Sequence, residues 1–192
     1  MRKLILVAAF SVLTLPVQAA ETYTVDPTHT YANFSILHLG FSTMYGRINS
    51  TGGSFTFDQD AGTGSVQINL DPATVDTGHQ KRDDHLRSPD FLNVVEFPEM
   101  SYESTSVSLN QDGGIIEGNL TLMAQTKPVS LTVMRWRCGE HSFSRKQTCG
   151  FDATTTIKRS DFGMTYGLSE NEDEGIGDEM TLIIEIEGSV EG

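Results

Sequence analysis

Along most of this chain apolar residues fall at every second position, with polar residues between them, the signature of strands with one dry and one wet face. In residues 31–38, Ala32, Phe34, Ile36 and His38 share one face, and Tyr31, Asn33, Ser35 and Leu37 share the other. A polar group thus ends the first apolar row. Phe55 and Phe57 share a face in the next short run, after which Val66, Ile68 and Leu70 alternate with Gln67 and Asn69. Beyond residue 100 a Ser/Thr/Val-rich run is followed by Ile116, Gly118, Leu120 and Leu122, then by Val129, Leu131 and Val133. Phe151, Ala153, Thr155 and Ile157 make a further row, and Met180, Leu182, Ile184 and Ile186 the last. Turns are expected at 40–46, at Gly52-Gly53, at 60–64 and at 110–114, where Asp112-Gly113-Gly114 tolerates positive φ. Pro128 has no N–H to give to a ladder and fits only the start or edge of its strand.

Residues 74–100 break the alternation. Charges run together from Lys81 to Asp84, and Leu86, Phe91 and Leu92 follow as a cluster. Thr77-Gly78 opens this segment, and Pro89 stops it because the residue before a proline is pushed out of the helical region. The spacing predicts one short helix over 80–87 and a further turn at 90–93, with Asp83 and Arg87 paired four apart on one helix face. A helix hung between two strand regions, with aromatics on one side and His85 and Arg87 near them, reads as a cap over the end of a β structure. Taken singly, each of its residues fits a solvated face above a plugged core better than it fits ligand contact.

About eight strands with short turns and no helical crossover specify an all-β, antiparallel fold, sandwich or barrel. A closed barrel of about eight strands is either filled by its own side chains or holds one slender ligand, and that choice decides function. The small residues Ala32, Gly118 and Ala153 in the inward rows leave room there or fit the taper.

Composition narrows the setting. Arg2 and Lys3, the apolar run 4–15 and the small residues up to Ala20 read as a cleaved secretory signal peptide over 1–20, leaving one domain over 21–192. No other stretch is apolar enough to span a membrane. The 13 basic residues face 26 acidic ones, a net charge of −13 that falls to about −15 without Arg2 and Lys3. This balance argues against nucleic acid and against anionic lipid surfaces. Cys138 and Cys149 bracket a polar stretch between two strand-like runs, so in an exported chain they are expected to bridge and staple a hairpin, an effect of roughly 3 kcal/mol.

From Tyr23 to Gly188 the residues resemble the YceI-like family of bacterial periplasmic proteins. The resemblance is carried by His29, by His38-Leu39-Gly40-Phe41, and by Thr74-Val75-Asp76-Thr77 leading through Arg82-Asp83 to His85-Leu86-Arg87-Ser88 and Asp90-Phe91. Phe97-Pro98, Gly118 to Leu122, Thr126-Lys127-Pro128-Val129 and Arg159-Ser160-Asp161-Phe162-Gly163 extend it. Members look like lipocalins, and the resemblance implies a periplasmic β-barrel with a helix near its mouth and a polyisoprenoid or similar long-chain lipid inside, an isoprenoid quinone included. This chain departs from the family's usual glycine by carrying Met123-Ala124-Gln125 before its Thr-Lys-Pro-Val element, and the cysteine pair is not general to the family.

On that reading the ligand would lie against Phe34, Ile36, Phe55 and Phe57, under Leu86, Phe91 and Leu92 of the cap. Leu120, Leu122, Leu131, Phe151, Leu182 and Ile184 would complete the wall, while His38, His85 and Arg87 would orient the head. No catalysis and no metal are expected. A metal-assisted enzyme is the competing class, but His79 and His85 point apart on a helix, His29 and His38 differ in strand parity, and no HxxH or HExxH occurs. Residues 169–179 imitate the start of a calcium loop through Glu170, Glu172, Glu174 and Gly175, yet Thr181 stands where a bidentate Glu is needed, and a solvated loop is expected. A barrel that docks a protein partner, or forms a homodimer, is equally compatible with the strand edges and the acidic surface.

Overall fold

The structure, a computed structural model, describes residues 20–171 and 174–191. The proposed signal peptide, apart from Ala20, and Glu172 and Asp173 of the acidic run therefore lie outside the described residues.

The alternating rows fold into one antiparallel sheet of strands β1 (Glu21–Val25), β2 (Tyr31–His38), β3 (Ser42–Asp58), β4 (Thr63–Asp76), β5 (Met100–Asn110), β6 (Gly113–Leu122), β7 (Gln125–Glu140), β8 (Gln147–Lys158) and β9 (Ile176–Val190). Each of the strands from β2 to β9 pairs with its successor, and β9 closes the ring on β2. The result is a closed eight-strand barrel in which β1 adds no extra stave. β1 lies between the far ends of β3 and β9, at Ser54–Phe57 and Gly188–Val190, while β2 lies between their near ends, so the two strands share one position. Thr30, 1% exposed, splices them. Its hydroxyl accepts from the Glu187 N–H at 3.0 Å, and its carbonyl accepts from the Ser50 N–H at 3.1 Å.

One expected turn is shorter than expected and another is absent. β3 runs unbroken through Gly46, Gly52 and Gly53, and the reversal before it is confined to residues 39–41. Gly52 and Gly53 (φ 140° and 144°) instead sit at a bulge against β4, where a Cβ on Gly53 would come within 2.1 Å of the Gln67 carbonyl oxygen. A long strand wrapping a small barrel must bend, and glycine at a bulge permits that bend. The hairpin at 110–114 forms as expected, with Gln111 and Asp112 at its tip. Pro128 lies inside β7, but β7 pairs with β8 only from Thr132 onward, so the proline occupies a stretch bonded on one side alone. Cys138 and Cys149 stand opposite each other in β7 and β8 and are bridged.

The barrel is solid at one end. There Tyr23 stacks on Phe55 at 4.8 Å, Phe151 meets Phe55 and Phe57 edge-on at 5.3 Å each, and Trp136 meets Phe57 at 5.0 Å. The Trp136 indole N–H donates to the Asn110 carbonyl at 2.6 Å, which ties the aromatic stack to the β5–β6 turn. Such edge and offset contacts are the preferred packing of aromatic quadrupoles.

At the opposite end Met123 and Ala124 form the two-residue β6–β7 turn, both left-handed at φ 50° and 56°. This turn demands residues that tolerate positive φ, and neither present residue does so freely. The double substitution Met123→Asn/Ala124→Gly is expected to raise unfolding free energy by about 1–2 kcal/mol, read as a higher urea midpoint with unchanged slope.

Candidate functional site

Above the aromatic stack the inward residues become mostly aliphatic and methionine side chains, and the bore opens into a cavity of about 410 Å³. That volume lies within the usual range for small-molecule sites. Its wall is built by strand parity: Ala32, Phe34, Ile36 and His38 from β2, Met44 and Ile48 from β3, Leu120 and Leu122 from β6, and Met180, Leu182, Ile184 and Ile186 from β9. Met44, Met100, Met164 and Met180 make part of this lining pliant, since thioether chains adapt to irregular occupants. Not every small residue leaves room. The Tyr102 ring fills the space beside Gly118, where a Cβ would come within 2.5 Å of its Cζ, and the Phe34 ring does the same over Gly46. The Tyr102 hydroxyl lies 3.1 and 3.0 Å from the Ile116 and Val129 carbonyl oxygens, and burial pushes its pKa up, so it stays a neutral donor.

A lid covers the open end. Its helix α1 spans Gln80–Leu86 and is capped by His79, whose Nδ1 accepts from the Arg82 N–H at 3.3 Å. Leu86, Phe91 and Leu92 turn inward and roof the cavity. The anchor beneath it is Asp83, 7% exposed, which accepts from the Thr77 N–H at 2.9 Å and from the Thr77 hydroxyl. That hydroxyl in turn accepts from Arg82 Nε at 2.7 Å. Burial works to raise the Asp83 pKa, but the Thr77 hydrogen bonds together with the charges of Arg87 and Arg82 outweigh it and hold the carboxyl below its ordinary value. Asp83 is therefore committed to Thr77, and the expected Asp83–Arg87 pair is replaced by Arg87 Nη1 donating to Asp84 at 3.1 Å.

Arg87 faces away from the cavity. Its Nε donates to the Ala73 carbonyl and its Nη2 to the Val75 carbonyl, each at 2.7 Å, so the side chain rivets the lid to β4. His85 does line the cavity, with Nε2 2.9 Å from Asp90 Oδ2 and its ring edge-on to Phe91 and Tyr166 at 5.0 Å each. His38 lines it at the end of β2. Of the expected wall residues, Phe34, Ile36, Leu120, Leu122, Leu131, Leu182 and Ile184 border the cavity, whereas Phe55, Phe57 and Phe151 belong to the solid end. Parity put these three rings inside the barrel correctly, but nothing in alternation tells one end of a bore from the other.

Several cavity residues escaped the pattern. Met44 has the right parity but falls in the stretch expected to turn, and Ile48 lies between the two expected turns. Arg159 is 1% exposed and also borders the cavity, with Nε donating to the Gly177 carbonyl at 2.7 Å, Nη1 to Met164 at 2.8 Å and Nη2 to Ile176 at 2.9 Å. Burial lowers its pKa and Asp178 opposes that shift. These bonds join the 3-10 turn Arg159–Phe162 to the start of β9 and shape the far side of the mouth. Only its place in the Arg-Ser-Asp-Phe-Gly motif marked it in the sequence.

Among the described residues, Asp26, His29 and Glu187 could bring three ligand atoms within 4.8 Å of one another. None of them borders the cavity, and Asp26 already accepts from His29 Nδ1 at 2.8 Å. That bond raises the His29 pKa, while the Thr28 hydroxyl foremost lowers that of Asp26. Thr181, which stands where a calcium loop needs its bidentate Glu, belongs to β9.

Comparison with known proteins places these features. A YceI-like domain is recognised over residues 23–188. The UPF0312 protein of Pseudomonas aeruginosa is 38% identical over 172 residues, covering 88% of this chain and 87% of its own length. Protein YceI of Salmonella heidelberg is 40% identical over 172 residues with the same coverage. Among solved structures, BcnA of Burkholderia cenocepacia superposes with a TM-score of 0.68 at 20% identity, over 85% of this chain and 98% of that one. A polyisoprenoid binding domain from Saccharophagus degradans superposes with a TM-score of 0.63 at 15% identity, over 88% and 98%. These two share the fold.

Because the Asp83 pKa is lower folded than unfolded, its contribution to the lid is complete above the ordinary carboxylate range and is lost as pH falls through the depressed value. Asp83→Asn should loosen the lid at neutral pH, removing an interaction of about 1.5–3 kcal/mol. Hydrogen exchange should show faster exchange at residues 77–87 in this variant, and in the unaltered chain only at strongly acidic pH.

Proposed function

Since the chain belongs to the YceI-like family, we propose that it is a carrier that holds a long-chain isoprenoid or related amphiphilic lipid in its barrel and performs no catalysis. The observation that carries this reading is the blind apolar channel under a polar-anchored lid. Burial of hydrocarbon yields about 0.8 kcal/mol per methylene, so a chain threaded between Leu120, Leu131, Leu182 and Ile184 is held without any polar contact to its tail. The polar side chains that reach the cavity near the mouth, His38, His85 and Tyr166, are placed to receive a small polar head. The fold shared with a polyisoprenoid binding domain supports an isoprenoid occupant, a quinone or prenyl phosphate among them. The Cys138–Cys149 bridge and the basic-then-apolar start of the chain support a periplasmic location.

Metal-assisted chemistry gains little from the geometry. The Asp26, His29 and Glu187 group lies off the cavity, so a metal there would not meet a lipid head at the lid.

Ala32 faces the channel between Ile48 and Ile184 and is the position where bulk is most simply added. Mass spectrometry of an organic extract of the purified protein is expected to find an isoprenoid lipid, and the stripped protein is expected to take up added solanesol. Ala32→Phe should reduce that uptake at least tenfold while leaving the β-sheet circular dichroism unchanged. A protein that emerges empty and takes up no prenol or quinone would end the carrier reading.

A further inference from the structure

The mouth is ringed by large apolar side chains that the fold leaves in water. Phe41 is 90% exposed in the β2–β3 turn, Val95 is 94% exposed in the segment after α1, and Tyr166 and Leu168 are exposed in the segment before β9. These three segments are joined around one opening. The Leu39 N–H donates to the Gly175 carbonyl at 2.9 Å, and Tyr166 packs on His85 and Phe91 of the lid. His38, three residues before Phe41, and Tyr166 itself border the cavity, so the rim meets the channel at Tyr166 and beside the β2–β3 turn. Single exposed apolar residues need no explanation, but a ring of them at the entrance to an apolar channel does.

We infer that this rim docks the barrel on a lipid bilayer of net neutral headgroups, mouth down, a role that rests on the lipid-carrier reading. Continuity supplies one argument. An apolar chain passing from a bilayer into the channel would otherwise cross water, and each methylene in water costs about 0.8 kcal/mol. Charge supplies the other. Asp84, Asp90, Glu96, Glu99, Glu170 and Glu174 are exposed on the lid and the segment before β9, Asp84 beside Arg87 and Asp90 beside His85, against exposed Lys81 on the helix and Lys158 next to Arg159. A second copy docked mouth to mouth would face this acidic ring with its own, because a two-fold interface sets the same patch against itself. An anionic membrane meets the same repulsion. A zwitterionic surface does not, and aromatic and aliphatic side chains such as Phe41 and Val95 insert at its headgroup level.

The test is flotation with phosphatidylcholine vesicles, comparing the unaltered protein with Phe41→Ser/Val95→Ser, a pair on exposed turns outside the channel. The unaltered protein is expected to float and the double variant to lose at least nine-tenths of its bound fraction, with solanesol uptake in detergent solution equal for both. Replacing part of the phosphatidylcholine by phosphatidylglycerol should weaken flotation, and salt should restore it. An unaltered protein that stays at the bottom of the gradient, or a double variant that floats equally well, overturns the inference. So does a dimer, seen by sedimentation, that the double variant loses while neither protein floats, since that assigns the rim to a second copy. If the unaltered protein floats but takes up no solanesol, the rim stands and the carrier reading alone falls.

Discussion

Closure of the sheet is the constraint from which everything else follows. Once eight antiparallel staves form a ring, its width is set by strand number and tilt, and inward side chains must either fill that width or leave it hollow. This chain does both along one axis. Rings of Tyr23, Phe55, Phe57, Phe151 and Trp136 span the bore at one end, and shorter aliphatic chains at the other fail to meet across it. The channel is thus the difference in reach between two sets of apolar side chains, each on the correct parity for its strand. The split stave serves the same closure: β1 pairs with β3 and β9 at the solid end, where the ladder of β2 has already ended.

Polar chemistry at the mouth is largely spent on structure. Asp83, Arg82 and Thr77 satisfy one another, Arg87 is consumed by two carbonyls and Asp84, and Arg159 by three carbonyls. Among the described residues no buried side-chain nitrogen or oxygen lacks a partner. Charges near an apolar cavity are tolerable only when so paired, because an unpaired buried charge would exceed the gain from the hydrocarbon contacts around it. Basic residues beside a cavity therefore do not by themselves signal ligand recognition, as Arg87 illustrates.

The legible part of the molecule was whatever depended on parity. Alternation put Phe34, Leu122, Leu131 and Ile184 on the inside, and the break in alternation at residues 80–87 located the lid helix within one residue of its end. What failed depended on where along a strand a residue sits. Gly52-Gly53 reads identically as a turn or as a bulge in a long strand, and only pairing with Asn69 and Ile68 decides between them. The vacancy was only partly written in the small residues, since Ala32 faces the channel but Gly118 is filled by Tyr102, and most of the open volume lies among full-sized Leu and Ile. Whether two such side chains touch across a barrel is a three-dimensional property that no local pattern encodes.

The two sides of the mouth are held unequally, and the asymmetry bears on how a blind channel can be filled. Because the aromatic stack closes the far end, the carrier reading has its ligand enter and leave by the lid. The lid's junction with β4 is directional and charged, through Asp83 to Thr77 and Arg87 to Ala73 and Val75. Its junction with the segment before β9 rests on ring contacts of Tyr166 with His85 and Phe91. Ring contacts of this kind are worth about 0.5–1.5 kcal/mol each and slide with little penalty, whereas displacing a charged hydrogen bond costs about 1.5–3 kcal/mol. The seam under Tyr166 therefore offers least resistance to widening. That seam opens directly beside the exposed side of Tyr166, so the weakest part of the closure and the apolar rim coincide.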